Sequence, residues 1–144
     1  MKTNNNLKKL ILALLLTVAV STVSYAQCDK TDTITSSTTY HLDDKGVVER
    51  TKDEETIITF DRFNINIAPG GDANATRGAV KSYTCHWTTP FKVGKTVITA
   101  VLTDGGEDVN ATITIEGKEG KVTVTFEADK LQGKKIQVVA NKFE

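Results

Sequence analysis

Across most of the chain, apolar residues recur at every second position, the period of a half-buried β-strand. The pattern is clearest over residues 109–116, where Val109, Ala111, Ile113 and Ile115 alternate with Asn110, Thr112, Thr114 and Glu116. After a glycine-bounded break at 117–120 it resumes with Val122, Val124, Phe126 and Ala128. The two runs therefore predict a hairpin with its apolar face inward. Residues 96–103 carry apolar side chains at both parities, which predicts a more deeply buried strand, and the turn 104–108 links it onward. Residues 135–142 add Ile136, Val138 and Ala140, after a short connection from which Leu131 is placed to plug one end of the core.

The first half of the pattern is less regular but still strand-like. Residues 33–42 put Ile34, Tyr40 and Leu42 on one face, and 43–46 then form a turn. The charged run 47–52 suits a sheet edge, where Lys and Glu discourage pairing with other chains. In residues 56–67 the apolar parity switches around Asp61 and Arg62, which predicts a bulge or a tight turn. In residues 77–88, placing Cys85 inward brings Tyr83 and Trp87 to the core face. No stretch shows helical spacing over two full turns apart from a brief run at 127–131. The elements thus predict an all-β domain, an antiparallel meander of about eight strands closing as a small up-and-down barrel. A two-layer β-sandwich is the alternative. The long connection 68–76 is the one place for a crossover or a functional loop.

The first 26 residues change the picture, because they read as a secretory signal that leaves one domain at 27–144. Lys2, Lys8 and Lys9 precede an uncharged run of eleven residues, 10–20, too short for the ~20 residues that a membrane-spanning helix needs. Ser24 and Ala26 supply small residues before a cut that makes Gln27 the new N-terminus. Lipid attachment at Cys28 is disfavoured because Gln27, and not a small residue, precedes it. Cleavage removes three of the 18 basic residues and none of the 18 acidic ones. The excess of acid that remains, without a basic cluster, argues against nucleic-acid binding. The leader has a bacterial look. Export would carry Cys28 and Cys85 into an oxidising compartment, where pairing them would staple the N-terminus to the core and contribute ~3–4 kcal/mol.

Candidate chemistry is sparse. The serines lie outside any nucleophile-elbow pattern, and the spacing of His41 and His86 does not select a metal site. The acidic, glycine-containing turns at 70–74 and 104–108 could hold calcium but lack EF-hand periodicity. No catalytic residue, metal ligand or cofactor is assigned. The expectation is an exported, non-catalytic binding module of the envelope or secretome for a small apolar ligand, with Tyr40, Tyr83 and Trp87 as candidate contacts. The alternative is a protein interaction or structural module, an inhibitor or assembly subunit, acting through an exposed strand edge near 47–52.

Overall fold

The computed structural model describes residues 25–144, so the leader, all but its last two residues, lies outside the described residues. A single helical turn, α1 (Tyr25–Cys28), leads into nine strands. These are β1 (Asp32–Leu42), β2 (Val48–Phe60), β3 (Asn64–Pro69), β4 (Thr76–Thr89), β5 (Val93–Asp104), β6 (Glu107–Lys118), β7 (Lys121–Ala128), β8 (Lys135–Val139) and β9 (Lys142–Phe143).

Each of the first eight strands pairs antiparallel with its sequence neighbours, and β1 also pairs with β8, so the sheet closes on itself. The architecture is the up-and-down barrel, and the sandwich is excluded because no connection crosses over. β9 takes up the edge of β1 that β8 leaves free: Ile34 pairs with Phe143, and the amides of Thr33 and Glu144 exchange hydrogen bonds of 2.7 and 3.0 Å with each other's carbonyls. Among the described residues no helix is long and apolar enough to cross a membrane. The barrel wall presents Thr112, Thr114 and Glu116 outward and Ala111, Ile113 and Ile115 inward, the reverse of a membrane barrel.

Alternation explains most of the facing, and local chemistry explains where it is interrupted. The parity switch at Asp61 is a tight turn, in which the Asp61 carboxylate accepts the amides of Phe63 and Asn64 at 2.7 and 2.8 Å and so starts β3. The expected edge strand at 47–52 and the first half of 56–67 are therefore one strand, β2, and the second half is β3. The connection at 68–76 carries no crossover, because β3 and β4 are adjacent and antiparallel. Two register slips have larger consequences. In the first, Ser37 of β1 alone stands opposite Glu54 and Glu55 of β2, and in the second an extra residue, Lys81, lies between Val80 and Ser82 of β4. The second slip lets Val80 and then Tyr83, Cys85 and Trp87 all turn toward the core.

Cys28 and Cys85 form a disulfide across 57 positions of sequence, with Cα atoms 5.8 Å apart. It joins α1 to the inner face of β4, fits an oxidising compartment, and occupies the sulfur that a lipid would need. Gln27 is buried beside it, its side-chain oxygen accepting the Phe91 amide at 2.9 Å.

Candidate functional site

The barrel interior is divided along its axis. At the end that carries α1 and the C-terminus, Trp87 is 0% exposed, and its indole N–H donates to Thr96 Oγ1 at 2.8 Å. Its seat is made by two glycines that face each other on β5 and β6, Gly94 and Gly117. A Cβ at either position would come within 2.8 or 2.6 Å of the indole carbons, so only glycine leaves the space. Phe143 sits against this indole at 5.5 Å and against Phe91 at 4.8 Å, both edge to face. This end is filled.

At the opposite end the same barrel is hollow. A cavity of about 310 Å³ opens there, and all eight barrel strands contribute to its wall. Ile58, Ile67, Leu102, Ile113, Val124 and Phe126 line its apolar depth. Polar groups gather at and above the wall of β1 and β2, where Thr39 and Thr56 pair through their hydroxyls at 3.4 Å. Glu54, Asp104, Lys130 and His41 complete the lining, with Leu131 from the short turn Asp129–Leu131. Leu131 thus stands at the mouth of a hollow and not as the plug of a filled core.

The candidate contacts from the sequence fall elsewhere. Tyr40 does not share a face with Ile34: the slip at Ser37 reverses the alternation, so Thr39 and His41 face the cavity and Tyr40 between them faces out. Tyr83 and Trp87 do face inward, but both belong to the filled end. Arg62 lies 5.4 Å from the Tyr83 ring centre and pairs with Asp29 at 2.9 Å. The Tyr83 hydroxyl is buried with no hydrogen-bond partner among the described residues, and burial raises its pKa to about 12. Close by in charge terms is Asp32, 2% exposed, whose carboxyl is pushed up to about 7 by burial against the opposing pull of Lys30.

The residues that do line the cavity, Thr39, His41, Glu54 and Ile136 among them, carry one weak signal in sequence. They are inward positions close to the turns of one barrel end, and their facing on β1 depends on a bulge that alternation alone does not reveal.

His41 and His86 are not brought together, since His41 faces in at the open end and His86 is exposed on the outer face of β4, next to inward Trp87. Among the described residues no three His, Cys, Asp or Glu side chains converge on a metal-sized site. In the 104–108 turn, Asp104 and Glu107 both pair with Lys130, at 3.4 and 3.3 Å.

His41 has a defined protonation state. Arg50, directly across from it on β2, places Nη2 at 2.9 Å from His41 Nε2. A guanidinium can only donate, so Nε2 accepts and the imidazole is neutral with its proton on Nδ1. Burial and then the Arg50 charge hold its pKa below the ordinary value, which agrees with that assignment.

Comparison of the chain with family models, with curated proteins and with solved structures finds no match, so the site's geometry alone bears on function.

Proposed function

We propose that the protein is an exported, non-catalytic binding module that holds a small apolar ligand in the open end of its barrel. The supporting observation is the cavity itself: eight strands make an interior that side chains can just fill, and here one end of it is left unfilled. Its volume of about 310 Å³ lies at the lower end of small-molecule sites. At ~30 Å³ for each water-sized group it has room for roughly ten non-hydrogen atoms. Apolar depth with a few polar groups at the mouth is the usual composition of such sites.

Two measurements test the reading. Native mass spectrometry of protein purified from its own host should show a bound adduct, and the fluorescence of the smaller neutral dye 1-aminonaphthalene, whose size matches the room available, should respond saturably at one site. Val138→Phe, which fills the cavity from β8, should abolish the dye signal without lowering the melting temperature. A dye that never saturates, or that binds equally to the Phe variant, would reject the cavity as the site.

A second reading rests on β2. β3 pairs only with Thr56 to Phe60 of that strand, so the edge over residues 48–54 has no strand beside it among the described residues. Val47 and Val48, 60% and 51% exposed, lie at its start. An extended partner segment could add there. Sedimentation that stays monomeric at high concentration, with no partner captured by cross-linking from Lys52, would reject this reading.

A further inference from the structure

The cations around the open end are not alike. Lys52 pairs with Glu54, Lys130 with Asp104 and Glu107, Lys134 with Glu49, and Lys135 with Glu127. Arg50 has no carboxylate within ion-pair distance among the described residues, and its partner is the neutral ring of His41. A second, shallower hollow of about 320 Å³ lies beside the apolar cavity and is lined by Arg50, Lys134 and Lys135 together with Glu49. His41, Leu131 and Ile136 belong to both hollows, so the imidazole stands on the wall between them. The order from inside outward is an apolar chamber, a neutral histidine and an arginine whose charge is uncompensated.

We propose that the ligand is an amphiphile with an anionic head, a medium-chain carboxylate, whose tail enters the barrel and whose carboxylate is held by Arg50. This rests on the cavity reading above and specifies its ligand class. A guanidinium offers paired N–H donors that match the two oxygens of a carboxylate, and such charge-assisted bonds are roughly twice as strong as neutral ones. Of the two carboxylates on the chamber wall, Glu54 is paired with Lys52, and Asp104 shares Lys130 with Glu107, so each opposes an incoming anion less than a free carboxylate would. The hydrogen bond to Nε2 makes His41 a positioning residue for the guanidinium. A tail of about nine carbons matches room for roughly ten heavy atoms.

The test is calorimetric titration of the mature chain with decanoate and with 1-decanol, which share a tail and differ in head. Decanoate should bind about 10-fold more tightly than decanol, the margin of one charge-assisted pair. Arg50→Gln should remove that margin and leave decanol binding unchanged, and Arg50→Lys should restore part of it. Arg50 is exposed, so the variants should melt with the wild type. Salt supplies a readout that needs no variant: raising it from about 50 to 500 mM should weaken decanoate and spare decanol. Equal affinity for the two ligands, an R50Q variant that weakens both alike, or a margin indifferent to salt would overturn the anionic head and leave the cavity reading standing. If neither ligand binds, the cavity reading falls and this inference with it.

Discussion

The two ends of this barrel have the same eight strands and the same closure, yet one is solid and the other hollow. At the solid end the inward positions carry Phe60, Trp87 and Phe143, with the disulfide and the buried Gln27 beside them. At the hollow end they carry Thr39, Thr56, Ile67, Val138 and Ala128, which are too small or too short to meet across the axis. Closure therefore fixes a volume, and the side-chain sizes at each level decide whether that volume becomes core or binding site. The same contrast divides stability from function: what holds the fold is concentrated at one end, which leaves the other free to be empty.

Substitutions break this comparison most sharply at the solid end. Trp87→Ala should cost about 4 kcal/mol, seen in a denaturant melt, because it leaves a large void between Gly94 and Gly117 and orphans the Thr96 hydroxyl. Loss of the disulfide comes next. Reduction, or Cys85→Ser, should lower stability by roughly 3 kcal/mol, with the N-terminal end loosening first in hydrogen exchange. Two free thiols in non-reducing mass spectrometry, or a melt indifferent to reductant, would refute it.

The buried carboxyl at the solid end predicts a pH effect of known sign. Asp32 has a folded pKa raised to about 7 from 3.8, so the fold favours its protonated form. That contribution is complete below about pH 4 and is lost as pH rises through about 7, a swing of up to roughly 4 kcal/mol. Melting temperatures of the wild type should fall across that window relative to those of Asp32→Asn. Parallel curves for the two proteins would show that the carboxyl is not buried in this way.

The smallest effect belongs to the hollow end. Ile136→Ala should cost only about 1 kcal/mol, since the residue is half-buried and already borders empty space, while enlarging the site and changing which tail lengths bind. A loss as large as that of the Trp87 variant would mean that the hollow end is as tightly packed as the other.

Much of the architecture was legible in the chain, because a period of two is a property of neighbouring residues. Residues 109–116 and 121–128 declare their inner faces without reference to anything distant, and the turn at Asp61 is built from its own carboxylate. Pairing Cys28 with Cys85 was legible because the chain has two cysteines, and facing Cys85 inward carried Tyr83 and Trp87 with it. The site was not legible in the same way. Tyr40 followed Ile34 by simple counting until the register slip at Ser37, where one residue of β1 meets two of β2, reversed the facing, and such a slip is set by the fit of two strands, not by the composition of one.

Alternation says which side of the sheet a residue faces and is silent on how deep along the barrel axis it sits. Trp87 and His41 both face inward, but depth follows from the register of all eight strands around the closed sheet, which no local window contains. Local sequence therefore determined that this chain is an antiparallel all-β domain with an apolar inner face and Cys28 stapled to Cys85, and it left a sandwich open beside the barrel. Only tertiary closure decided that the sheet is a barrel, which end of its interior the aromatic side chains would fill, and that the other end would open beside His41 and Arg50.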